Sequence, residues 1–339
     1  MTDYFRPIAQ TDAARPPEAE TLAGGWCWFT HVEHLRRGRS AGILPVDALP
    51  KETLERLTAP RPRLGRLRMD RPQIMGILNV TPDSFSDGGA HVGPARGLAH
   101  ARAMVDAGAS LIDVGGESTR PGAMEVPAEA EIARTAPVIA AISNVVQVPI
   151  SIDTRKAVVA RAALDEGAFL VNDVSGFTHD PRLALLCAER EVPICVMHAL
   201  GDPETMQSDP RYDDVLLDVY DFLAAQVSML AGLGIPRARI LVDPGIGFGK
   251  TIAHNLALLA RISLFHGLGC PILLGASRKG FIGKIGDVPD VTERAPGSVA
   301  VALEAIAQGV QVVRVHDVGE TRQALRLWQA VTTGEHLGA

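Results

Sequence analysis

The sequence is poor in cysteine and lacks the cysteine patterns of disulfide-rich and zinc-binding proteins. Its four cysteines are scattered along the chain without a C-x-x-C pair: Cys27, Cys187, Cys195 and Cys270. Three of them lie in or beside apolar runs, where a thiol behaves as a small hydrophobic side chain. We therefore predict reduced, packed thiols and no zinc site.

The sequence also lacks a secretion signal, a long apolar run and an excess of positive charge. The first residues, MTDYFRPIAQ, do not have the basic-then-apolar layout of a signal peptide, and no uninterrupted apolar stretch reaches the length of a membrane helix. The 339 residues carry a formal net charge of -6 with 47% hydrophobic content, which is typical of a globular protein with a substantial core. Mild acidity argues against nucleic acid as the main partner. We expect a cytoplasmic protein with neither a membrane nor a nucleic-acid partner.

Common catalytic and nucleotide-binding motifs are missing as well. The sequence has no Ser-His-Asp order and no H-E-x-x-H helix. The run DPGIGFGKT resembles a phosphate loop, but only three residues separate Gly245 from Gly249 where that loop needs four. Lys250 also stands where the dinucleotide fingerprint needs its third glycine. We interpret the run as a flexible loop with Phe248 at its tip, suited to lining a flat aromatic substrate.

What the sequence does contain is an alternation of short apolar runs and longer amphipathic segments after about residue 72. The predicted strands are residues 74–79, 111–116, 149–153, 169–173, 193–197, 239–243, 271–275 and 311–316. Residues 215–230 place apolar side chains on one helical face, and Gly108, Gly167 and Gly309 are placed to end helices in the left-handed conformation. Eight such units predict an α/β fold, the (β/α)8 or TIM barrel. A doubly wound open sheet is the alternative.

The first 72 residues differ from the rest in composition and in the pattern of predicted elements. They contain the tryptophan-rich run AGGWCWFTHVEHL, a short predicted helix in KETLERL and a linker rich in proline and arginine. We interpret residues 1–72 as an N-terminal extension of unknown role and residues 73–339 as the barrel. The extension could cover the barrel bottom through Trp26, Trp28 and Phe29, or serve an interface. The prolines favour a solvated linker for its arginines, which are Arg61, Arg63, Arg66, Arg68 and Arg71.

Polar side chains stand at nearly every predicted strand end. They are Asn79, Asp113 with Glu117, Asp153, Asn172 with Asp173, His198, Asp243, Ser277 with Lys279, and Arg314 with His316. Barrels of this class place their chemistry at the carboxyl ends of the strands, so this pattern predicts a site there. Asn79 alone remains ambiguous, because an asparagine at this point either closes a turn or supplies a ligand oxygen.

Eight motifs at successive strand ends make the chain resemble dihydropteroate synthases over residues 74 to about 330. They are NVTPDSFSDGG, GGESTRPG, SIDTRK, VNDVSG, MHALGDPETMQ, DPGIGFGK, GASRKGFIG and RVHDV. The resemblance implies an enzyme that joins (7,8-dihydropterin-6-yl)methyl diphosphate to 4-aminobenzoate and releases pyrophosphate, with Mg2+ present. It also implies a homodimer. The competing functions are a pterin-dependent corrinoid methyltransferase and a non-catalytic pterin-binding protein.

The resemblance implies a role for each matching residue. Asn79 corresponds to the metal ligand, and the pterin pocket corresponds to Asp153, Asn172, Asp243 and Lys279. Arg314 and His316 correspond to the diphosphate contacts, with Thr119 and Arg120 in the substrate site beside them. The 4-aminobenzoate site corresponds to Pro121, Phe248 and Ser277 with the backbone near Arg278, while Met197 and Phe248 are either substrate contacts or apolar wall. The catalytic group is then Asn79, Lys279, Arg314 and His316.

The chemistry of the pterin pocket explains its acidic residues. A pterin presents adjacent N–H donors, so a buried carboxylate such as Asp243 can accept two charge-assisted hydrogen bonds. Two carboxylates in one pocket raise each other's pKa, and Lys279 supplies the opposing charge. A purely structural Asp243–Lys279 ion pair is the alternative.

The residues around His316 leave two further expectations. Asp317 and Glu320 resemble a capping box that would occupy the first amides of the last helix, so we expect the anion on Arg314, His316 and the metal. His316 could instead be a neutral histidine of the barrel rim. Residues 81–89 are a candidate lid.

Overall fold

The computed structural model describes residues 2–39, 42–81, 92–118, 122–201 and 205–335. Before residue 60, the described residues form β1 (Tyr4–Pro7), β2 (Glu20–Thr21), β3 (Trp28–Phe29), β4 (His31–Leu35), β5 (Gly42–Pro45) and α1 (Lys51–Thr58). Antiparallel pairing joins them in the order β1-β4-β5 and as the pair β2-β3. A small core of Leu22, Phe29, Val32 and Leu57 holds this layer together, because all four side chains are at most 1% exposed.

The strands that follow form one parallel sheet, and its order within the described residues is β11-β10-β9-β8-β7-β6-β13-β12. They are β6 (Gln73–Asn79), β7 (Leu111–Gly115), β8 (Ile150–Asp153), β9 (Leu170–Asp173), β10 (Ile194–Met197), β11 (Ile240–Asp243), β12 (Leu273–Leu274) and β13 (Val312–Val315). The sheet closes where the Val242 amide donates to the Pro271 carbonyl at 3.0 Å and Val242 bridges Ile272. The TIM barrel is therefore confirmed, and the open sheet is excluded.

Helices alternate with these strands and cover the outside of the barrel. They are α2 (Val92–Asp106), α3 (Ala128–Ser143), α4 (Ala157–Asp165), α5 (Pro181–Glu189), α6 (Val215–Gly232), α7 (Ile252–Ala260), α8 (Gly280–Ile285), α9 (Ala295–Ala307) and α10 (Val318–Thr333). The predicted glycine stops are confirmed, because Gly108, Gly167 and Gly309 have φ of +104°, +106° and +85°. At Gly309 a Cβ would also lie 2.9 Å from the His266 ring.

Helix α6 is long and apolar enough to cross a membrane by length and composition alone. In this structure its apolar face packs against the barrel, with Val219, Leu223, Val227 and Leu230 fully buried. The amphipathic helix predicted for this segment is confirmed.

The bottom of the barrel is closed by the linker that precedes β6. Leu64, Leu67 and Met69 pack inside the barrel against the first inward residues of seven strands, among them Leu111, Leu170, Cys195, Leu241 and Val312. The hypothesis that Trp26, Trp28 and Phe29 cover the bottom holds for Trp26, which donates from Nε1 to the Ile306 carbonyl at 2.9 Å, at the end of α9 that leads into β13. Phe29 instead packs in the core of the extension itself.

One arginine of the linker is not solvated as predicted. Arg61 is 6% exposed and donates to the carbonyls of Ala59, Arg56 and His266. Burial lowers the pKa of Arg61 to about 10. Arg61 therefore ties the linker to the barrel, since three backbone carbonyls replace its lost hydration.

All four cysteines are buried and unpaired, as predicted. Burial raises the pKa of Cys27 and of Cys187 to about 12, so both thiols stay protonated at neutral pH. They behave as packing residues.

Candidate active site at the barrel mouth

Alternation along each strand decides which side chains enter the barrel. In β7, Leu111 packs with the bottom plug while Ile112 and Val114 pack under the helices, so Asp113 points inward one layer above Leu111. The same two-residue period places further polar residues of the neighbouring strands inside, above the plug: Asp153, Asn172, Asp243 and Arg314. The polar strand ends of the sequence therefore meet in one chamber.

Arg314 organises this chamber by pairing with two carboxylates. It donates from Nε to Asp113 Oδ2 at 2.6 Å and from Nη2 to Asp153 Oδ2 at 2.8 Å. Asn172 donates from Nδ2 to the same Asp113 oxygen at 3.2 Å. Asp113 is fully buried and was not among the predicted substrate contacts, although its inward position on β7 was visible in the strand pattern. Asp113 thus holds in place Asn172 of the predicted pterin pocket and Arg314 of the predicted diphosphate site.

Burial shifts the acidity of these groups. It raises the pKa of Asp153 to about 7, with Arg314 opposing the rise and Asp113 adding to it. Burial also raises the pKa of Asp243, and here Lys279 is the strongest opposing charge. The predicted upward direction of the pKa is confirmed for both acids, but its main cause is burial and not the second carboxylate, and the strongest opposing charge on Asp153 is Arg314. Although burial opposes it, the carboxylates of Asp113 and Asp153 raise the pKa of Arg314 above its ordinary value, so its charge is permanent.

The alternative of an Asp243–Lys279 ion pair is wrong for the described structure. Asp243 Oδ1 accepts the Gly245 amide at 2.7 Å, whereas the Lys279 amine donates to the Ile246 carbonyl. That amine lies 4.5 Å from the centre of the half-buried Phe248 ring, a cation–π distance. Burial lowers the pKa of Lys279 to about 8. The acid and the amine therefore face the same chamber from separate anchors.

The rim of the chamber pairs Ser277 with His316. The Ser277 hydroxyl lies 3.0 Å from His316 Nδ1 and accepts the His316 amide at 3.2 Å. The Arg278 amide donates to the Ser298 hydroxyl at 2.8 Å. The Arg278 amide therefore already has an acceptor, and the binding of a carboxylate by the backbone near Arg278 stays a prediction.

The capping box predicted for the last helix is also wrong. The Asp317 carboxylate makes no cap to α10 and instead accepts two hydrogen bonds from the guanidinium of Arg278, from Nε at 3.0 Å and from Nη2. The pairing turns the Arg278 side chain toward α10, at a residue whose φ of +57° is unusual for a non-glycine.

The remaining predicted contacts lie at the edges of the described structure. Asn79 is the half-buried last residue of β6, whose neighbour in the barrel is β13, the strand of Arg314. Met197 is 3% exposed at the end of β10. Thr119, Arg120 and Pro121 lie outside the described residues, as do residues 82–89 of the candidate lid.

A buried charge cluster behind the loop after β7 was not predicted as a unit. The Glu117 carboxylate accepts the Lys156 amine at 3.0 Å, the Arg155 guanidinium at 3.1 Å and the Val126 amide at 2.7 Å. Lys156 also donates to Glu131 at 2.8 Å. Glu117 therefore ties the two ends of this loop together, from a position that the polar strand-end pattern had already marked.

Fold and site together define a barrel enzyme whose mouth carries buried carboxylates, amides and cations. The sequence profile described as "Pterin binding enzyme" matches residues 75–316. The chain therefore belongs to the pterin binding enzyme family.

Its relatives carry a more specific name. The chain is similar to the dihydropteroate synthase of Escherichia coli K12, with 45% identity over 79% of this chain and 95% of that protein. A solved dihydropteroate synthase of Xanthomonas albilineans with 4-aminobenzoic acid has a TM-score of 0.75 and 44% identity, covering 80% of this chain and 98% of that one. The same enzyme in complex with 7,8-dihydropteroate has a TM-score of 0.73 and 41% identity over the same shares.

Proposed function

We infer that this chain is a dihydropteroate synthase, a transferase of folate biosynthesis that joins a pterin methyl diphosphate to 4-aminobenzoate. The observation that supports this function is the inward chamber at the barrel mouth, where the residues that the resemblance assigns to a pterin pocket lie close together: Asp153, Asn172, Asp243 and Lys279. Relatives with 44 to 46% identity carry the same name over most of the chain.

The pterin pocket is built for a ring that donates hydrogen bonds. Asp243 uses Oδ1 to accept the Gly245 amide, which leaves Oδ2 and the remaining lone pairs for ring donors. Asn172 also points inward, from β9, which is separated from the strand of Asp243 by β10, and it is held by Asp113. We propose that Asp243 accepts from the pterin and that Lys279 supplies the opposing charge beside it.

The diphosphate is assigned to the Arg314 and His316 side of the chamber. Arg314 keeps its charge at every physiological pH but is shared with Asp113 and Asp153. Its pairing with two carboxylates fixes the direction of the guanidinium before substrate arrives, which is the preorganisation that charge stabilisation requires.

Mg2+ is proposed as the companion of this diphosphate. Among the described residues no cluster of three or more His, Cys, Asp and Glu side chains is arranged to hold a metal ion. A single amide ligand at Asn79 fits a magnesium ion that is bound mostly by substrate phosphates and water. When bound, the ion would neutralise charge that develops on the leaving diphosphate.

The reaction then needs little proton transfer from the protein. The electron-rich pterin can share positive charge with the methylene carbon, so we propose a dissociative displacement in which Arg314 and His316 stabilise the leaving group. The amine of 4-aminobenzoate is already a neutral nucleophile, and the protein's task is to hold it in line. Asn79→Ala should lower turnover roughly a hundredfold if the amide belongs to this machinery.

We also propose a homodimer in the cytoplasm. An apolar groove of about 740 Å³ between α7, α8 and α9 includes Leu256 and Ile285, which are 45% and 58% exposed. Large exposed apolar patches mark association surfaces, and a second copy of this chain is the expected occupant. Ile285→Glu should convert a dimer to a monomer in sedimentation velocity, and a wild-type monomer at micromolar concentration would refute the proposal.

The decisive experiment is a coupled pyrophosphate-release assay with both substrates and Mg2+. We expect release that depends on 4-aminobenzoate and product with the mass of 7,8-dihydropteroate. Absence of 4-aminobenzoate-dependent release would overturn the assignment. Cobalamin-dependent methyl transfer would favour a corrinoid methyltransferase, and pterin binding without either reaction would favour a binding protein.

A further inference from the structure

The loop that follows β11, residues 244–250, is held by four side chains: Lys279 after β12, Gln207 and Tyr212 in the segment before α6, and Lys250 of the loop itself. Each of four consecutive backbone carbonyls accepts a hydrogen bond from one of them. Ile246 accepts from Lys279, Gly247 from Gln207, Phe248 from Lys250 and Gly249 from Tyr212. A surface loop normally gives its carbonyls to water, so this degree of anchoring indicates that the position of the loop matters.

Lys250 is the most deeply buried of these anchors. It is 3% exposed, and its amine lies 2.8 Å from His198 Nδ1, 3.0 Å from the Phe248 carbonyl and 3.4 Å from the His198 carbonyl. An ammonium has three donors, and these are three acceptors. Burial lowers the pKa of His198 to about 3, so its ring is neutral and can accept at Nδ1.

Keeping this amine in the interior is costly. Burial lowers the pKa of Lys250 well below its ordinary value, with the Asp243 charge opposing the shift. None of the ion pairs in the described part of the chain includes Lys250. A buried amine without a carboxylate partner stabilises a fold poorly, which points to a positional role.

The loop after β10 lies so close to residues 244–250 that the backbone cannot shift to a different anchor. A Cβ at Gly245 would lie 1.8 Å from the His198 carbonyl, and one at Gly249 would lie 2.6 Å from the Leu200 carbonyl. Both glycines have positive φ, +68° and +62°. The loops after β10 and β11 are therefore pressed together, and Lys250 is the side chain that links them from inside.

We propose that Lys250 is a positioning residue for the arylamine side of the site, acting by fixing the Phe248 carbonyl and so the Phe248 ring beside Lys279. The loop directly follows Asp243, and its Phe248 ring lies 4.5 Å from the Lys279 amine, so a shift of the loop tip moves the aromatic wall of the chamber. The substrate class implied is a flat aromatic amine. The proposal rests on the proposed function for the identity of that substrate, but the anchoring of the loop does not.

The test compares Lys250→Met with Lys51→Met, which removes the same charge from a lysine whose side chain is 89% exposed. Amide hydrogen exchange of the substrate-free proteins is measured by mass spectrometry. We expect exchange in residues 244–251 to accelerate about tenfold in Lys250→Met, the scale of losing one hydrogen bond to a charged group. Exchange in β6 and β7 should not change. Unchanged exchange in residues 244–251, or a uniform increase in all strands, would overturn the proposal.

Steady-state kinetics supplies the second measurement. In Lys250→Met the KM for 4-aminobenzoate should rise roughly tenfold, while kcat stays within about threefold of wild type. Adding Lys250→Met to Phe248→Ala should change that KM little further, because both substitutions then act on the same ring. Full additivity of the two substitutions would refute an action through Phe248.

Two further outcomes are distinguishable. If the wild-type protein shows no 4-aminobenzoate-dependent turnover, the proposed function fails while hydrogen exchange still decides the anchoring. If Lys250→Met does not fold, Lys250→Gln replaces it, because its side chain is one bond shorter than lysine and carries no charge. The expected and contradicting outcomes are then the same.

Discussion

The two ends of the barrel interior are built from the same strands but from opposite kinds of side chain. At the bottom, Leu64, Leu67 and Met69 fill the barrel together with apolar first residues of the strands. At the mouth, two residues further along the same inward faces, Asp113 and Arg314 form a buried charged network with their neighbours. The alternation along a strand decides whether a side chain points into the barrel. The position along the strand decides whether the interior around that side chain is apolar or charged.

The apolar bottom of the barrel stabilises a fold that also has to bury charged groups at its mouth. Buried carboxylates raise the free energy of the fold unless paired, and the pairs at the mouth leave Asp113 Oδ1 and the Ser151 hydroxyl without a hydrogen-bond partner among the described residues. A well-packed apolar floor offsets that cost. Four substitutions separate the contribution of the charged mouth from that of the apolar bottom.

Removing the cation should have the largest effect. Arg314→Ala should lower turnover at least a hundredfold, and should destabilise the fold by about 3–5 kcal/mol because two buried carboxylates lose their partner. Urea unfolding and pyrophosphate release measure the two losses separately. The control is Arg182→Ala, since that arginine also pairs with an aspartate but its side chain is 72% exposed. Near-normal turnover in Arg314→Ala would contradict the role assigned to the guanidinium.

Damage to the floor should affect stability and leave catalysis unchanged. Leu67 is 2% exposed, and Leu67→Ala should lower the free energy of unfolding by about 2–5 kcal/mol. The kcat/KM of the folded enzyme at 25 °C should stay within about twofold of wild type. Leu327→Ala, at a side chain that is 65% exposed, serves as the control. A large fall in kcat/KM with unchanged stability would show that the floor shapes the site directly.

Neutralising one acid at the mouth should weaken binding by a smaller amount. Asp243→Asn keeps the shape but loses charge, so pterin affinity measured by calorimetry should fall roughly tenfold to a hundredfold, the range for a hydrogen bond to a charged group. Asp209→Asn, at a side chain that is 66% exposed, should bind like wild type. Unchanged affinity in Asp243→Asn would exclude the pterin pocket at this position.

The pH dependence of Lys279 should give the smallest effect. Burial lowers its pKa from an ordinary value of 10.5 to about 8, so the ammonium is present below pH 8 and is lost above it. We expect kcat/KM to decline above about pH 8 in wild type and in Lys284→Met, and this decline to be absent from the residual activity of Lys279→Met. Between pH 8 and 10.5 the unfolded chain binds more protons at this lysine, so its contribution to the free energy of unfolding rises with pH. A decline that persists in Lys279→Met would assign the titration to another group.

Local patterns in the sequence were sufficient for the architecture. Strands, helices and the glycine stops at Gly108, Gly167 and Gly309 follow from periodicity and backbone conformation, which act over a few residues. The motifs at the strand ends were sufficient for the family, because a barrel brings all those ends to one mouth.

The pairing of charged groups was decided only by the tertiary structure. Asp113 and Arg314 lie 201 positions apart and meet inside the barrel because β7 and β13 are the two strands that flank β6. Asp317 pairs with Arg278 instead of capping α10, and Arg61 is buried instead of solvated, since each finds partners that no local pattern names.

The sequence by itself determined the barrel, the family and the set of polar residues at the mouth. The structure alone decided that Arg314 is shared by two acids, that the linker leucines close the floor and that Lys250 anchors the aromatic loop. The physical reason is range. Backbone preference and side-chain period are local properties, whereas burial and charge pairing depend on which distant segments share a low-dielectric interior.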